Sequence, residues 1–247
     1  MADEGDTGLP ASIEAAWGLR ERTKKGPRPG LSLDGIVDAG VRIAAAEGIA
    51  GVSMSRVAAK LGTSAMSLYR YVAAKDELLA LMVDAAIGPP PAMPAPDEEW
   101  REGLSRWAWA HHDGLRRHPW VLRIPITGPP STPNEVAWVE NGLRCLAGTG
   151  LAEGEKMSVI LLLSGFVRNE ATLVTDLGAA AAAAGGAEIM PAWSSQLRLL
   201  TDADRFPALH RALASGVFDQ DDEPDDEFVF GLERVLDGID ALVRERG

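Results

Sequence analysis

Cysteine is nearly absent from the 247-residue chain, which contains a single one, Cys145. One cysteine excludes an internal disulfide and a cysteine-based zinc site, and it fits a reducing cytosol. Aromatic residues make up only 6% of the chain, and no segment alternates apolar and polar residues as a half-buried strand does. Because leucine and alanine are abundant instead, the sequence predicts an all-α protein with a proper core, in one large domain or two small ones.

Long apolar runs are also missing, since the longest, 157–167, is far shorter than the roughly 20 residues of a membrane-spanning helix. The first six residues are acidic, which is unlike a secretory signal. The chain contains no nucleophile elbow, zinc-protease, Walker or dinucleotide-binding glycine motif. We therefore expect a cytoplasmic protein that is not an enzyme, does not associate with a membrane, and uses no cofactor or metal ion.

Positive charge is scarce in the whole chain, whose net charge is −12, but it is concentrated near the N-terminus. Residues 18–75 hold ten Lys or Arg and four acidic residues, which gives +6, whereas residues 76–247 carry −14. A basic head attached to an acidic body directs the head to phosphate groups and keeps the body away from them. The acidic net charge is therefore compatible with DNA binding.

Two short helical patterns separated by a tight turn occupy residues 52–82. Val57 lies on the inner face of the first pattern. Gly62 comes directly after the end of that pattern, where a helix end favours a residue tolerant of positive φ. Leu68 and Val72 mark the inner face of the second pattern. This is the layout of a helix-turn-helix, whose second helix enters the major groove of DNA. A plain helical hairpin with a chance turn glycine is the alternative.

The segment 68–79, LYRYVAAKDELL, resembles the signature of the TetR (tetracycline repressor) family of regulators. The resemblance is close over residues 31–87 and looser beyond them, where the chain is similar to the C-terminal domain of the tetracycline-repressor subgroup. It implies a three-helix DNA-binding domain at residues 31–87 and a helical ligand-binding and dimerisation domain at residues 97–247. Residues 1–30 would then be a flexible arm with a basic segment at 20–30.

The pattern and the resemblance together nominate side chains for DNA contact. In the helix-turn-helix region these are Ser53, Ser55, Arg56, Thr63, Ser64, Ala65, Met66, Ser67, Tyr69, Arg70 and Lys75. Lys24, Lys25 and Arg28 in the basic segment either contact phosphate or the minor groove, or belong to a solvated linker. Two residues depart from the family pattern. Ala65 offers a base no hydrogen bond, and Ala74 cannot cap the next helix, which costs roughly 1 kcal/mol.

The C-terminal half carries candidate contacts for the small-molecule inducer that the resemblance implies. Such a pocket is mostly apolar with a few polar groups. The candidates are Trp100, Trp107, Trp109, His112, Trp120, Trp138, Phe166 and Asn169. Core packing is the alternative role for each tryptophan. Arg168 and Asn169, in an apolar helix, either line the ligand cavity or pair across a subunit interface.

Two patterns superficially resemble metal sites. Asp221, Asp222 and Asp225 match the aspartate motif of all-helical terpene synthases, but Pro224 interrupts the run and no second motif accompanies it. His111, His112 and His118 can place two imidazoles on one side of a helix, without an obvious third ligand. A metal-dependent enzyme of the terpene-cyclase type and a ligand-independent DNA-binding protein are the alternatives to a ligand-responsive repressor.

Two predicted helices, 155–177 and 226–244, have more apolar surface than a single packed face requires. We expect a homodimer through these helices, because symmetric half-sites in DNA require recognition helices about 34 Å apart. The expected partners are thus a near-palindromic double-stranded operator, a small-molecule inducer and a second copy of the chain. Alternatively, both helices belong to the core of one subunit. The run at 178–186 predicts a frayed helix or a flexible loop.

Overall fold

The computed structural model describes residues 8–19, 31–94, 97–186, 189–218 and 225–246. Within these ranges every regular element is a helix and none is a strand, so the predicted all-α class is confirmed. The α-helices are α1 (Ala11–Ala16), α2 (Leu33–Glu47), α3 (Met54–Lys60), α4 (Ala65–Leu68), α5 (Lys75–Ile87), α6 (Trp100–Arg117), α7 (Pro133–Cys145), α8 (Glu153–Ala183), α9 (Ile189–Leu200), α10 (Pro207–Ala214) and α11 (Asp226–Arg246). Short 3-10 helices lie at Ile49–Gly51 and Pro119–Arg123.

Helices α2 to α5 form the N-terminal head, in which α3 and α4 are the helix-turn-helix. Gly62 makes the turn between them at φ +66°, a backbone conformation that other residues rarely adopt. Val57, Leu68 and Val72 are fully buried at the crossing of the helices, as their spacing predicts. Helix α5 packs closely on α2, because Gly40 has no side chain and Met82 Sδ lies only 2.6 Å from where its Cβ would be.

The N-terminal segment contains a docked helix rather than a flexible arm throughout. Ser12 and Ile13 of α1 are buried, and the Ser12 hydroxyl donates a hydrogen bond of 2.5 Å to the Glu77 carboxylate on α5. The Trp17 indole donates to the Ser131 carbonyl oxygen at 2.8 Å. The expectation of a flexible arm is therefore wrong for residues 11–16, which gain apolar burial and polar partners by docking. Residues 1–7 and 20–30 lie outside the described residues.

Glu77 makes a different bond at the start of α5, where Ala74 has no side chain that can cap the helix. Its carboxylate accepts the backbone N–H of Ala73 at 3.1 Å as well as the Ser12 hydroxyl. One otherwise unpaired N–H group before the helix is thereby satisfied. The cost that the sequence predicts for Ala74 is thus partly offset by an acidic side chain three residues later.

The C-terminal body is a bundle in which α6, α8 and α11 enclose the core and α7 covers one side. Leu104, Trp107, Leu163 and Leu236 are among its fully buried side chains. Helix α8 continues to Ala183, so the break expected from residue 178 onward is instead regular helix up to that point. Alanine has the highest helix propensity, and the helix ends only before the consecutive glycines 185 and 186.

Helix α8 also carries large apolar side chains that the rest of the described protomer leaves exposed. They lie on more than one side of the helix and are Met157, Leu161, Leu162, Leu173, Val174 and Leu177. By length and composition α8 could cross a membrane, although the core helix of a soluble protein can pass the same test. Ile160, Leu163 and Val167 are buried in the bundle, so α8 has one face in the core of the protomer and exposes further apolar side chains outside it.

Candidate nucleic-acid interface and ligand site

Helix α4 and the turn after it present side chains to solvent on the outer side of the head. Leu68 points inward, whereas Met66 is 76% exposed and Tyr69 is 46% exposed. Arg70 and Lys75 are exposed as well, and Lys75 is the first residue of α5. Single exposed apolar side chains are common on protein surfaces, but Met66 and Tyr69 lie close in sequence to the exposed cations Arg70 and Lys75. This surface suits a partner that offers phosphate groups and base edges.

Two of the predicted contact residues also cap the helices that carry them. The Ser53 hydroxyl accepts the backbone N–H of Arg56 at 3.2 Å and begins α3. The Ser64 hydroxyl accepts the N–H of Ser67 at 3.3 Å and begins α4, and the two hydroxyl oxygens lie 3.0 Å apart. These serines therefore position the helix-turn-helix, besides any contact that they make with DNA.

The remaining predicted contact residues of the head differ in solvent exposure and in whether they already have a partner. Ser55 is exposed, and Thr63 and Ala65 are partly buried. The Arg56 guanidinium forms an ion pair with the Glu47 carboxylate, so a phosphate group would compete with Glu47 for it. No local sequence pattern predicts this pair, because Glu47 lies in α2 and Arg56 lies in α3. Lys24, Lys25 and Arg28 lie outside the described residues.

In the body, three rings from α6 and α7 pack together at one end of the core. The centroids of Trp107 and His111 are 5.3 Å apart, and His111 lies 5.2 Å from Trp138. The Trp107 indole donates a buried hydrogen bond of 2.9 Å to the Trp138 carbonyl oxygen. We call these three residues the α6–α7 ring cluster.

A second group of rings joins α6 to α8 and α11. His112 stacks on Phe228 with a centroid separation of 4.0 Å, and Trp109 meets the same ring edge-on at 4.6 Å. Phe166 lies 5.5 Å from Phe228. Gly231 permits this approach, because a Cβ there would come within 2.5 Å of the Phe166 ring.

Several buried polar atoms between these helices make no hydrogen bond with the described residues. They are His111 Nδ1, both ring nitrogens of His112, Trp120 Nε1 and Asn141 Oδ1. Each such atom costs about 1–3 kcal/mol of stability when it stays without a partner. Burial lowers the pKa of His111 to about 4, with smaller contributions from the charges of Arg168 and His112, and burial also lowers the pKa of His112. Both imidazoles are therefore neutral at pH 7, and each can donate and accept a hydrogen bond.

The structure brings together most of the predicted ligand residues, but not all. Trp107 and Trp138 meet in the α6–α7 ring cluster, while Trp109, His112 and Phe166 meet around Phe228. Trp120 is buried beside His118, 6.2 Å away between centroids. Like Trp120, the last two predicted residues lie outside both ring groups. They are Trp100, which is partly buried, and Asn169, which is exposed.

Asn169 leaves the core because it lies two residues after the buried Val167, on the opposite side of α8. Its neighbour Arg168 turns inward instead. His111 and Phe228 belong to the ring groups, although the sequence does not nominate them as ligand contacts. A signal was available for His111, since it follows Trp107 by four residues and thus shares its helix face.

Two cavities adjoin the joint between head and body. One of about 560 Å³ lies between the linker and α6 and is lined by Ile87, Pro89, Pro90, Pro91, Ala110, Asp113, Arg116, Arg117 and Trp138. The other, of about 400 Å³, lies among α1, α2, α5 and the start of α7. The volume of the first is in the range of drug-sized ligands, and Trp138 separates it from His111.

Helix α7 is bonded to the last helix of the head. The Asp84 carboxylate on α5 accepts the backbone N–H groups of Asn134 at 2.8 Å and Glu135 at 3.2 Å, at the N-terminus of α7. Further along α7, the Trp138 indole donates to the Gly88 carbonyl oxygen at 2.9 Å, and the Asn141 amide donates to the Pro91 carbonyl oxygen at 3.1 Å. One helix thus contacts the ring cluster on one side and the head and linker on the other.

The patterns that resemble metal sites do not assemble within the described residues. No group of three His, Cys, Asp or Glu side chains in that part of the chain could hold a metal ion. Asp225 forms an ion pair of 2.6 Å with Arg116, and His111 and His112 face aromatic rings. Asp221 and Asp222 lie outside the described residues.

Comparison with known proteins agrees with the head and the body as two matched regions. Residues 36–82 match the bacterial regulatory proteins of the tetR family, and residues 93–243 match the tetracyclin repressor-like C-terminal domain. The chain is 37% identical to the HTH-type transcriptional repressor DrrR1 of Streptomyces coeruleorubidus, over 98% of this chain and 89% of that protein. Apo ActR from Streptomyces coelicolor is 28% identical and superimposes with a TM-score of 0.72, over 87% of this chain and 98% of ActR. ActR has also been solved in complex with actinorhodin, and that structure has a TM-score of 0.71 at 29% identity, over 87% of this chain and 99% of the other. The chain belongs to the TetR family of DNA-binding transcriptional regulators.

Proposed function

We propose that this protein is a homodimeric, cytoplasmic repressor that leaves a near-palindromic operator when a small molecule binds in its C-terminal body. The head at residues 31–87 binds DNA, and residues 97–247 bind the inducer and dimerise. The observation that carries the proposal is the position of α7. This helix contacts the α6–α7 ring cluster through Trp138 and the head through Asp84.

DNA contact is assigned to the surface of α4 and the start of α5. Met66 suits contact with a thymine methyl group, Tyr69 and Arg70 can reach phosphates or base edges, and Lys75 suits a phosphate. Their exposure above a buried Leu68 supports this assignment. One head contacts a single half-site, so two heads held by a dimer are needed for tight, specific binding.

Dimerisation is assigned to α8 and α11. The exposed apolar side chains of α8 include Leu161 at 75% and Leu162 at 55%, and α11 exposes Phe230 at 61%. Two copies related by a two-fold axis can bury these side chains in a four-helix interface. Such burial removes apolar surface from water and accounts for a helix that is apolar on two sides.

Release from DNA requires that the inducer prefer a conformation whose heads do not fit the operator. A molecule entering beside Trp138 would shift α7, and α7 holds α5 through Asp84 and the linker through Gly88. A small displacement of α7 is thereby passed to the head. That the similar protein ActR has been solved with actinorhodin supports a small-molecule inducer for this chain.

The test is fluorescence anisotropy of the protein with labelled DNA from upstream of its own gene, at two salt concentrations. We expect tight, competitor-resistant binding that weakens with salt, and loss of specific binding in Tyr69→Ala. Candidate small molecules, with actinorhodin as the first, are then added to the complex to measure release. Binding no tighter than to random DNA, followed by a genome-wide selection that finds no preferred fragment, would contradict the proposal.

A further inference from the structure

Helix α1 lies at the joint between head and body and is bonded to both. We infer that α1 and Trp17 are a positioning element for operator binding, which we call the α1 clasp, residues 11–17. The α1 clasp ties the end of α5 nearest the DNA-contacting surface to the start of α7, and so holds the head in one orientation against the body. The inference rests on the proposed function, because the head is held for the sake of binding DNA.

The first turn of the α1 clasp is anchored in the head. The Ser12 hydroxyl is fully buried and donates to Oε2 of Glu77 at 2.5 Å. The same oxygen accepts the backbone N–H of Ala73 at 3.1 Å, and Ala73 lies between α4 and α5, two residues before Lys75. Ile13 is also buried and adds apolar contact. The head end of the clasp therefore adjoins the segment that carries the predicted DNA contacts.

The other end of the α1 clasp is bonded to the body. Trp17 follows α1 directly, and its indole Nε1 donates to the Ser131 carbonyl oxygen at 2.8 Å. Ser131 lies two residues before α7, and its own N–H donates to the carboxylate of Glu135 in the first turn of that helix, at 3.3 Å. The clasp thus reaches the same helix start that Asp84 binds from α5.

These bonds close a ring of three segments. Glu77 and Asp84 are seven residues apart on α5, so they lie two turns apart on nearly the same face. The clasp runs from Glu77 to Ser131, and the N–H of Asn134 returns from α7 to Asp84 at 2.8 Å. The cavity of about 400 Å³ has its walls in the same three segments and α2, with Ala16 as the contribution of α1.

The second attachment restrains α5 in a way that the first does not. Asp84 and Gly88 tie only the C-terminal half of α5 to α7, and a helix held there can pivot and swing its other end. The clasp holds that other end at Glu77, about 10 Å further along the helix axis. Fixing the head beforehand reduces the entropy lost when the two heads of a dimer occupy two half-sites at once. Binding to a single half-site requires no such restraint.

The first test is hydrogen exchange of the full-length protein. Trp17→Phe keeps a ring at a position that is 42% exposed and removes the bond to Ser131. Because the clasp passes this loss to its other end, we expect roughly fivefold faster exchange in residues 70–79 as well as in residues 126–132. Leu19→Ala truncates an exposed side chain just after the clasp and is the matched control, which should change neither segment. Faster exchange confined to residues 126–132 would overturn the inference.

The second test compares two duplexes by fluorescence anisotropy, labelled DNA from upstream of the gene and the same DNA with one half-site scrambled. We expect the preference for the complete duplex to fall about threefold in Trp17→Phe and about tenfold in Ile13→Asp, with half-site affinity unchanged. Ile13→Asp should undock α1, because docking would bury an unpaired carboxylate. Adding Trp17→Phe to Ile13→Asp should have no further effect, since the bond to Ser131 requires a docked helix.

Three results would contradict the α1 clasp. Equal losses for the complete duplex and the half-site would indicate damage to the head itself, multiplying effects of the two substitutions would show that they act separately, and an unchanged preference would show no positioning. If Ile13→Asp does not fold, Ser12→Ala takes its place and should speed exchange at the opposite end, in residues 126–132. If the wild type binds no DNA specifically, the proposed function fails, while exchange in residues 70–79 still decides whether α1 joins head and body.

Discussion

The indole Nε1 of Trp138 donates a hydrogen bond of 2.9 Å to the carbonyl oxygen of Gly88, across the joint between body and head. The same indole packs against Trp107 with a centroid separation of 5.5 Å. Trp138 therefore has one side in the ring cluster and one bond to the linker. A ligand that moves this ring also affects the linker, because the hydrogen bond joins the ring to Gly88, where α5 ends.

Replacing Trp138 by phenylalanine keeps an aromatic ring but removes this hydrogen bond. We expect the free energy of unfolding to fall by about 1 kcal/mol from the lost bond. The effect of inducer on operator affinity should fall as well. Urea denaturation and anisotropy measure the two effects. Trp100→Phe is the control, because the Trp100 indole makes no hydrogen bond with the described residues. Equal behaviour of the two variants would argue against a coupling role for Trp138.

Asp84 is expected to stabilise the joint through its charge at the N-terminus of α7. In Asp84→Asn the new amide N–H₂ faces donors, since Asn134 presents its own N–H groups to both carboxylate oxygens. We expect a loss of about 1–2 kcal/mol in urea denaturation. Asp38→Asn removes an exposed carboxylate paired with Arg42 and should cost less than about 0.5 kcal/mol. Similar losses in both variants would show that Asp84 is not a special contact.

Stability should fall in mild acid because the half-buried His111 packs against Trp107 and Trp138 in its neutral form. Its folded pKa of about 4 lies below the ordinary value of 6.5, so the unfolded chain binds the proton first as pH falls. The stabilisation is present above pH 6.5 and is lost between pH 6.5 and 4. Between pH 7 and pH 5 the lost contribution is about 2 kcal/mol. Urea denaturation at both pH values should show a smaller loss in His111→Phe than in the wild type.

Lys75 is expected to contact a single DNA phosphate. Lys75→Ala should weaken operator binding uniformly and lower the slope of log affinity against log salt by about one. Titrations at four or five salt concentrations measure this slope. Arg205→Ala removes an exposed cation that packs on Phe206, far along the chain from the head, and should leave the slope unchanged. An unaltered slope in Lys75→Ala would remove this residue from the interface.

The exposed apolar side chains of α8 predict the effect of a charge on assembly. Leu161→Glu should convert a dimer to a monomer in sedimentation velocity at micromolar concentration, because the carboxylate would be buried without a partner in the interface. Met66→Glu adds the same charge to an exposed position in the head and should leave the mass unchanged, while it abolishes DNA binding. A monomeric wild type, or a dimeric Leu161→Glu, would place the interface elsewhere.

Much of the head can be predicted from the chain because its signals are local. The spacing of Leu68 and Val72, the glycine at 62 and the caps at Ser53 and Ser64 all act within one turn of helix. Exposure of Met66 and Tyr69 follows from the same periodicity. The amphipathic pattern of α11 likewise places Phe228, Leu232, Leu236 and Ile239 in the core.

The site in the body depends on how distant helices pack, which periodicity does not specify. Asn169 and Arg168 are adjacent, yet the register of α8 against the 3-10 helix sends only Arg168 inward. Ser12 and Glu77 lie 65 residues apart, and Trp138 and Gly88 lie 50 apart. Helical periodicity assigns a residue to a face of its helix, so the sequence pattern is sufficient to predict the fold class and most core residues. The partner of each polar group depends on the angle and separation of packed helices, and those arise only when the whole bundle forms.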